Sequence, residues 1–221
     1  MPTINEMVGM KAILPRIKRE WVDEIIVVDK DSTDGTPEFA QQMGCITVKQ
    51  KSRGLGGAYY DALEVATGDI IITFSPDGNS VPEIIPELVR KMNEGYDMVI
   101  VSRYLPGVKS EDDDWLTRIG NWMFTRIINV LFRAHYTDTL VMFRAWTRKL
   151  YMLERINDTV GGPEPHLCIV AARHRLKVAD IPGDEPKRIG DVRKMRPFAN
   201  GSAIVWLIVK EFLFGGARQK P

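Results

Sequence analysis

Residues 69–79 read Asp-Ile-Ile-Ile-Thr-Phe-Ser-Pro-Asp-Gly-Asn, a β-branched apolar run that ends abruptly in turn-forming residues. The run at 69–74 predicts a buried β-strand, and its tail places a carboxylate and an amide at the strand's end. Residues 24–29, Glu-Ile-Ile-Val-Val-Asp, repeat this pattern and lead into a second polar loop. Open α/β sheets bind ligands outside the carboxyl ends of their strands, so these tails are the first candidates for a functional site.

Short apolar runs and helical patterns alternate around these two strands, which predicts an α/β domain with a mostly parallel central sheet flanked by helices. In the first part, the predicted strands are 24–29, 45–49, 69–74 and 97–102, and the predicted helices are 36–43, 56–66 and 82–93. Beyond residue 105, the predicted elements are helices at 115–132, 145–155, 166–173 and 201–214, a strand at 177–181 and a basic loop at 184–197.

The chain opens on Pro2-Thr3, which we interpret as the turn after a first strand. An α/β domain of this kind should begin with that strand. The sequence therefore predicts a domain whose first strand is missing, either because the chain is truncated or mis-started or because the domain folds without it.

The 221 residues suit a single domain. A composition of 44% hydrophobic and 27% charged residues excludes disordered, collagen-like and coiled-coil proteins. The net charge of +1 argues against a nucleic-acid-binding protein with a general basic excess. Residues 144–221 nevertheless carry 15 Lys/Arg and 8 Asp/Glu, a net of +7, whereas residues 1–143 carry 15 and 21, a net of −6. The charge count alone also fits an ordinary protein surface.

Cys45 and Cys168 each lie in an apolar run, which predicts two buried thiols in a reducing cytosol rather than a disulfide. The three histidines lack His-x-x-x-His spacing, which argues against a zinc enzyme. The N-terminal residues lack the basic start and apolar centre of a signal peptide. The longest apolar run, 203–209, is too short to span a bilayer, which takes about 20 residues, so we expect a cytoplasmic protein.

Asp77 and Asn79 alternate just after the strand at 69–74, so both side chains can point to one side. A carboxylate and an amide oxygen suit Mg²⁺ or Mn²⁺ held jointly with the phosphates of a substrate. Aspartate and asparagine are also common turn formers between a strand and a helix. The spacing alone leaves both interpretations open.

Two other loops have the composition of nucleotide-binding segments. The loop at 29–36, Asp-Lys-Asp-Ser-Thr-Asp-Gly-Thr, offers carboxylates that either recognise a ribose or base or cap the next helix. Residues 53–57, Arg-Gly-Leu-Gly-Gly, precede a helix, where glycines let the backbone approach a phosphate. This segment is neither a Gly-x-Gly-x-x-Gly nor a Walker motif, which argues against Rossmann and P-loop folds.

Arginines follow two further strands. Arg103 ends the predicted strand at 97–102, and residues 188–194 read Arg-Ile-Gly-Asp-Val-Arg-Lys. Arginine binds phosphate well and is costly to bury without a partner. A solvated basic surface has the same composition, so this pattern also leaves two interpretations open.

In their order along the chain, these segments resemble the family 2 glycosyltransferases. They are most similar to the dolichyl-phosphate mannose synthase-like group, which transfers a sugar from a nucleotide sugar to a polyprenyl phosphate. The resemblance covers nearly the whole chain. Its seven blocks are Pro-Thr-Ile-Asn-Glu at 2–6, Val-Val-Asp to Asp-Gly-Thr at 27–36, Arg-Gly-Leu-Gly at 53–56 with Ala-Thr-Gly-Asp at 66–69, Ser-Pro-Asp at 75–77 with Pro-Glu at 82–83, Ser-Arg-Tyr at 102–104, Asp-Thr to Phe-Arg at 138–144, and Arg-x-Gly at 188–190.

The resemblance implies a glycosyltransferase A-type fold and a single catalytic domain over residues 1–221. Within it, we expect a nucleotide-binding half at 1–105, an acceptor-binding half at 106–197 and an amphipathic helix at 198–214. The implied nucleotide-binding residues are Pro2, Thr3, Ile4, Glu6, Val28, Asp29, Asp31, Arg53, Gly54 and Ser75. The implied ligands of Mg²⁺ or Mn²⁺ are Asp77 and Asn79. The implied acceptor-phosphate ligands are Arg103, Arg118 and Arg193, and the implied catalytic residues are Asp77, Arg188 and Asp138.

Asp138 has two interpretations: it orients the acceptor or the arginines, or it is a structural partner of Arg144 or a helix cap. Three other positions depart from the family pattern. Ser75 replaces the first acid of the Asp-x-Asp motif, and metal affinity tends to fall as ligand charge is lost. Lys30 replaces the second acid of a pair that would indicate the base. Val141 and Met142 replace a serine and a glycine before Phe-Arg.

The implied reaction is inverting transfer of a hexose from a nucleotide sugar, of the GDP-mannose or UDP-glucose type, to a polyprenyl or dolichyl phosphate. The nucleophilic phosphate is already ionised at neutral pH, so it needs no strong general base. One alternative is a family 2 enzyme that acts on a saccharide, with Glu164 as candidate base. Another is a sugar-nucleotide-binding protein weakened by Ser75 and the missing strand. The sequence indicates no nucleic-acid partner and does not determine an oligomeric state.

A polyprenyl tail stays in the bilayer, so the resemblance also implies a peripheral protein on the cytoplasmic face of a membrane. The helix at 115–132 and the segment at 203–214 are apolar on more than one face. These faces either pack on the core or rest on the membrane interface. The basic C-terminal third suits an anionic leaflet.

Overall fold

The computed structural model describes residues 1–154, 156, 162–189 and 197–215. Its first sheet contains three parallel strands in the order β1-β2-β3: β1 (Pro2–Thr3), β2 (Ile26–Asp29) and β3 (Ile46–Lys49). Because the strands are parallel, their carboxyl ends meet at one edge, with Thr3 beside Asp29 and Asp29 beside Lys49.

The second sheet contains β4 (Ile70–Thr73), β5 (Met98–Ser102), β6 (Arg144–Thr147) and β7 (Val178–Pro182), in the order β4-β6-β5-β7. Strands β5 and β7 are parallel, and β6 runs antiparallel between β4 and β5. The predicted α/β class with mostly parallel strands is confirmed, with one antiparallel strand inserted.

The described α-helices are α1 (Met7–Ile13), α2 (Thr36–Gln42), α3 (Gly54–Val65), α4 (Ile85–Asn93), α5 (Trp115–Phe132), α6 (Arg148–Leu153), α7 (Glu164–Arg173) and α8 (Pro197–Phe214). Helix α5 has the predicted bounds because both of its ends are specified locally. Asp114 accepts a hydrogen bond from the Thr117 amide (2.7 Å) at the start, and Arg133 adopts a left-handed conformation (φ 56°) at the end.

The prediction of a helix at 145–155 is wrong in its first part, where the chain forms β6. Ala145 and Trp146 are fully buried between β4 and β5, and this pairing overrides the helical pattern. The helix begins only at Arg148, where the Thr147 hydroxyl accepts a hydrogen bond from the Leu150 amide (3.4 Å).

The interpretation of Pro2-Thr3 as only a turn is also wrong. These residues form a two-residue strand, with Pro2 opposite Val28 in the parallel register. The Val28 amide donates to the Met1 carbonyl (2.9 Å), and the Met1 amino group donates to the Ile26 carbonyl (2.8 Å). A short first strand is therefore present beside β2.

Two apolar clusters form the core. One lies around β5, β6, α5, α7 and α8, and the other joins β2 and β5 to α1 and α4. Cys168 belongs to the first cluster and Cys45 to the second, and both are buried free thiols as predicted.

Helices α5 and α8 lie against each other, and the rings of Phe132 and Phe212 meet edge to face with centroids 6.2 Å apart. One side of each helix packs on the core through residues such as Ile128 and Leu207. The other side, here called the α5–α8 apolar face, exposes Trp115, Leu116, Ile119, Trp122, Met123 and Val130 together with Val205, Trp206, Val209, Phe212, Leu213 and Phe214. Across the described residues, no helix combines the length and apolarity that a bilayer crossing requires.

Candidate active site

A cavity of about 1010 Å³ opens at the carboxyl ends of β1, β2, β4 and β5. Most predicted site residues line it: Pro2, Thr3, Ile4, Glu6, Arg53, Gly54, Ser75, Asp77, Asn79, Arg103 and Arg188. The predicted residues that do not line it are Val28, Asp29, Asp31, Asp138 and Arg118. Arg193 lies outside the described residues. The structure therefore brings together the segments that the sequence separates by up to about 180 positions.

Asp29 is buried beneath the cavity wall. Its carboxylate accepts hydrogen bonds from the Thr3 hydroxyl (3.0 Å), the Ser32 amide (2.9 Å) and the Ser32 hydroxyl (2.5 Å). Asp31 points elsewhere and forms an exposed ion pair with Lys49 (2.8 Å). Asp29 thus fixes the two loops, and its predicted contact with a nucleotide stays a prediction.

The turn after β1 is held to the loop after β2 by three backbone amides. The amides of Asn5, Glu6 and Met7 donate to the side chains of Ser32 (2.7 Å), Thr36 (3.0 Å) and Asp34 (3.0 Å). Burial favours the neutral acid, but hydrogen bonds from the Thr36 hydroxyl and from backbone amides lower the pKa of Asp34 below its usual value. This anchoring fixes the turn whose Ile4 and Glu6 line the cavity.

Lys30 follows Asp29 and also lines the cavity. Its side chain is exposed, and its amide donates to the Thr3 carbonyl (3.0 Å). The departure from the family pattern therefore places a cation, rather than an acid, at this end of the cavity.

Asp77 and Asn79 lie on one turn, where the Asp77 carboxylate accepts a hydrogen bond from the Asn79 amide (3.3 Å). The two residues therefore form the turn that one interpretation gave, and the metal-ligand interpretation stays a prediction at a turn that faces the cavity. One carboxylate, one amide oxygen and the Ser75 hydroxyl are hard oxygen donors, and this set fits Mg²⁺ or Mn²⁺ when phosphate and water complete the coordination. A cationic group, Arg188, already lies 3.2 Å from Asp77 Oδ2.

Helix α1 packs directly on this turn because residue 9 is glycine. A Cβ atom there would lie 2.4 Å from the Pro76 carbonyl oxygen. This close approach holds the turn with the metal-binding candidates against helix α1, which follows the turn after β1.

Arg188 bridges two acids across the cavity. Nη1 lies 3.2 Å from Asp77 Oδ2, and Nη2 donates to Asp112 Oδ2 (3.0 Å). Burial disfavours the charged guanidinium, but the charges of Asp77 and Asp112 raise the pKa of Arg188 above its usual value. The predicted catalytic residues Asp77 and Arg188 are therefore in direct contact.

Arg103 is held by two different acids. Nε and Nη2 donate to Asp138 (2.7 and 3.1 Å), and Nη1 donates to Glu185 (3.2 Å). Burial raises the pKa of Asp138, but the positive charge and hydrogen bonds of Arg103 outweigh this and lower it. Asp138 is fully buried, so it acts on the cavity only through Arg103 and its other partners.

Asp138 does not pair with Arg144, as one interpretation proposed. Arg144 is fully buried and donates to the carbonyl groups of Val141 (3.0 Å), Thr139 (3.3 Å) and Glu164 (3.2 Å). This arginine fixes the segment after Asp138 from within the core.

Glu164 forms part of the cavity wall, although it is almost completely buried. Its carboxylate accepts a hydrogen bond from the Tyr59 hydroxyl (2.8 Å). Burial raises the pKa of Glu164, and this outweighs the opposing charge of Arg144. The candidate base of the saccharide alternative thus lies in the cavity wall, and its role as a base stays a prediction.

Sequence reasoning missed Asp112 and Glu185, the second partners of the two arginines. Asp112 belongs to the acidic run at 111–114, and Glu185 lies three residues before Arg188. The acidic run was a visible signal, but its pairing was not, because Asp112 and Arg188 are 76 positions apart. Arg118 lies on the exposed side of α5, outside the cavity lining.

Comparison with known proteins identifies the family. A model described as glycosyl transferase family 2 matches residues 1–157. The chain belongs to glycosyl transferase family 2. The prediction of a glycosyltransferase enzyme is confirmed.

Two curated relatives support the more specific resemblance. A dolichyl-phosphate hexose transferase of Haloferax volcanii is 32% identical over 213 residues, which cover 95% of this chain and 91% of the relative. A dolichol-phosphate mannosyltransferase of Pyrococcus furiosus is 33% identical over 134 residues, or 57% of this chain and 36% of the relative. The glycosyltransferase is thus similar to the dolichyl-phosphate mannose synthase-like group, as predicted.

A solved structure confirms the fold of the glycosyltransferase. Glucosyl-3-phosphoglycerate synthase of Mycobacterium tuberculosis, in complex with Mn²⁺, UDP-glucose and phosphoglyceric acid, superposes with a TM-score of 0.72. The match covers 96% of this chain and 77% of the synthase at 22% identity. It confirms the glycosyltransferase A-type fold.

Proposed function

We propose that this glycosyltransferase transfers a hexose from a nucleoside diphosphate sugar to a polyprenyl phosphate. The observation that carries the proposal is the Asp77–Arg188 contact. It lies in the cavity between the turn after β1 and the segments around residues 140 and 185. The names of the Haloferax and Pyrococcus relatives support the same donor and acceptor classes.

In the proposed mechanism, an ionised oxygen of the lipid phosphate forms a bond to the anomeric carbon of the hexose. The bond from that carbon to the donor's β-phosphate oxygen breaks, and its electron pair leaves with the nucleoside diphosphate. Attack opposite the leaving group inverts the anomeric centre. No proton has to be removed from the nucleophile, so the chain needs no general base for this step.

Arg188 stabilises the leaving diphosphate through its terminal nitrogens Nη1 and Nη2, which in the free enzyme bind Asp77 and Asp112. A divalent cation held by Asp77 and Asn79 would neutralise further charge on the same group. The exposed amine of Lys30 adds a third cationic group at the donor end.

The two arginines proposed as acceptor ligands differ in whether acids already bind them and in how exposed they are. Arg103 is bound by both Asp138 and Glu185. We therefore propose that it positions the part of the cavity wall that contacts the acceptor. Arg118 is exposed at the start of α5, and we propose that it meets the lipid phosphate as it approaches the cavity. Both assignments remain proposals.

The acceptor's tail would lie in a membrane next to the α5–α8 apolar face. Aromatic side chains with exposed rings, such as Trp122 and Trp206, favour the interface between lipid headgroups and acyl chains. We propose that this face docks peripherally on the cytoplasmic leaflet. Sedimentation with anionic vesicles should carry the protein down, and a Trp122→Ser/Trp206→Ser variant should stay in the supernatant. Val65→Ser, which removes an exposed apolar residue on α3, is the matched control.

The reaction is tested by incubating the full chain with radiolabelled GDP-mannose or UDP-glucose, Mn²⁺ and undecaprenyl or dolichyl phosphate. Label should enter the lipid phase. Asp77→Ala should lower the rate by about 100-fold or more, because several kcal/mol of charge stabilisation are lost. Glu38→Ala, at an exposed acid on α2 outside the cavity lining, should retain activity. Binding of the donor without turnover would instead indicate a weakened nucleotide-sugar-binding protein.

Glu164 favours a second candidate function, transfer to a saccharide hydroxyl, because such a nucleophile needs a base. The raised pKa of Glu164 and its place in the cavity wall suit that role. Glu164→Gln separates the two candidates. Transfer to a saccharide should lose most of its rate and the acidic limb of its pH profile, whereas transfer to a lipid phosphate should keep both.

A further inference from the structure

Residues 185–189 lie along the wall of the cavity in the candidate active site, and we call this segment the Arg188 strap. Backbone hydrogen bonds hold it at both ends. At its start, the Glu185 amide donates to the Lys109 carbonyl (2.9 Å), and at its end, the Ile189 amide donates to the Asp77 carbonyl (2.6 Å). The strap is therefore tied directly to the turn that carries the candidate metal ligands.

The Ile189 side chain lies closely over the α-carbon of Gly78 in that turn. A Cβ atom at residue 78 would lie 2.6 Å from Cγ1 and 2.8 Å from Cδ1 of Ile189. Gly78 also has a φ of 90°, in the left-handed region that glycine adopts without strain. Glycine is thus required twice at this position, once for the turn and once for the seat of Ile189.

Packing in the core does not explain the contact between Ile189 and Gly78. Ile189 belongs to neither apolar core cluster, and 36% of its surface is exposed. A side chain this exposed contributes little to the free energy of unfolding. The contact instead joins the Arg188 strap to the turn of Asp77 and Asn79.

Arg188 is anchored through its backbone on both sides. Its own amide donates to the Asp112 carboxylate (3.4 Å), and the next amide, that of Ile189, donates to the Asp77 carbonyl. With the backbone held, the guanidinium lies at the turn, where Nη1 is 3.2 Å from Asp77 Oδ2. An arginine side chain loses much rotamer freedom when it is ordered, so an anchor formed on folding lowers the cost of orienting it during the reaction.

We propose that Ile189 is a positioning residue: seated on Gly78, it holds Arg188 at the Asp77 turn, where the guanidinium meets the leaving diphosphate. Only the side chain of Arg188 then has to turn from its two acids to the diphosphate, while its backbone stays in place. The inference rests on the proposed function, because it takes a diphosphate as the leaving group. Ile189 occupies the position that the Arg-x-Gly pattern at 188–190 leaves open.

The first test needs no substrate. In the free enzyme, Ile189→Ala should speed hydrogen exchange of the amide at residue 189 by about 10-fold relative to its intrinsic rate, because the bond to the Asp77 carbonyl opens more often. Ile189→Val keeps Cγ1 and the branched Cβ, so it should restore most of the protection. Ile46→Ala on β3 is the matched control, since Ile46 has a similar exposure of 41%. Equal exchange in the parent and in Ile189→Ala would overturn the proposal.

The second test is a double-mutant cycle with Arg188→Gln, measured on hexose transfer. Ile189→Ala alone should lower kcat by about 10-fold, because a misplaced group loses its orientation, and it should leave the KM for the acceptor unchanged. Added to Arg188→Gln, it should lower kcat no further, because Ile189 acts through Arg188. Losses that multiply in the double variant would show that Ile189 acts independently, and the proposal would be wrong.

Two further measurements separate positioning from a purely structural role. Ile189→Val should recover most of kcat, and Ile189→Ala should shift the midpoint of thermal unfolding by less than about 2 °C. A larger shift without recovery by valine would contradict the proposal. The cycle is valid with a lipid phosphate or a saccharide as the acceptor, because the leaving group is the same. Failure of transfer to the lipid would therefore count against the proposed function alone.

Discussion

Arg103 and Arg188 each have two carboxylates at 3.2 Å or less, but their surroundings differ. The Arg103 side chain is 10% exposed and binds Asp138 and Glu185, which are themselves buried. The Arg188 side chain is 23% exposed, and its Nε makes no hydrogen bond within the described part of the chain. Every side-chain nitrogen of Arg103 thus donates a hydrogen bond within a buried network, whereas Arg188 lies in a more exposed network.

This difference separates positioning from chemistry within one cavity. A buried arginine with fixed partners holds the loops around it, and breaking the network is costly because a charge is left without a partner. A partly exposed arginine that shares acids with the candidate metal site can exchange them for a diphosphate. We therefore expect changes at Arg103's partners to lower stability and changes at Arg188 to lower activity.

Asp138→Asn should have the largest effect, a loss of about 3–5 kcal/mol in the free energy of unfolding. The amide cannot neutralise Arg103, and it places a donor near the Asn121 side chain, which now donates to Asp138 (2.7 Å). Urea denaturation measures the loss. Asp31→Asn, at an exposed acid, is the control and should unfold like the parent. Equal stability of the two variants would show that the Arg103 network is not structural.

Arg188→Gln should lower kcat by about 10²–10³-fold, the usual consequence of removing one donor to a developing negative charge. The midpoint of thermal unfolding should change little, because Arg188 lies on an open network. Initial rates and thermal denaturation test both halves. Lys187→Gln removes the adjacent exposed cation and should leave kcat unchanged. A large loss of stability in Arg188→Gln would mean that the two arginines play the same role.

A third charged cluster, around His166, is also buried, and it makes the free energy of unfolding depend on pH. His166 lies 3.8 Å from Glu211, but burial outweighs this carboxylate and lowers the pKa of His166 to about 4. In the unfolded chain the imidazole has its ordinary pKa of 6.5, so it binds more protons between pH 6.5 and 4 than in the folded protein. The resulting stability is therefore complete above pH 6.5 and is lost as the pH falls through 4, by about 3 kcal/mol in all.

His166→Gln should remove this contribution to the slope of the unfolding free energy against pH. The test is the difference in unfolding free energy between parent and variant, measured in urea at several pH values from 7.5 to 4. A constant difference across that range would contradict the prediction.

The smallest effect is expected at the Lys49–Asp31 pair, because both side chains are more than 70% exposed. Lys49→Gln should change neither the midpoint of thermal unfolding nor the KM for the nucleotide sugar. Steady-state kinetics is the sharper measurement. A raised KM for the donor would return Asp31 to the nucleotide site, where the family resemblance placed it.

The strands and their tails were predictable from local sequence. Continuous β-branched runs such as 69–74 indicate buried strands, and parallel strands bring their carboxyl ends together, so Asp77 and Arg103 could be assigned to one cavity. Helix α5 has the bounds that the sequence predicted, and the capping acid Asp114 specifies its first residue locally.

The networks around the arginines were not predictable, because they depend on distant partners. Glu185 binds Arg103 from 82 positions away, and Asp112 reaches Arg188 across 76. Strand β6 was missed for a similar reason, since its conformation is set by β4 and β5 rather than by its own residues. Local patterns contain no information on which acid meets which base after folding.

The α5–α8 apolar face also gives the protein its own optical reporter. Three of the protein's five tryptophans lie on this face: Trp115, Trp122 and Trp206, with 74%, 67% and 65% of their surface exposed. Trp146, in contrast, is fully buried. Indole emission shifts to shorter wavelength when lipid replaces water, and the buried ring supplies a constant background. Quenchers at known depths along the acyl chains would then measure how far this face enters a bilayer, without an added label.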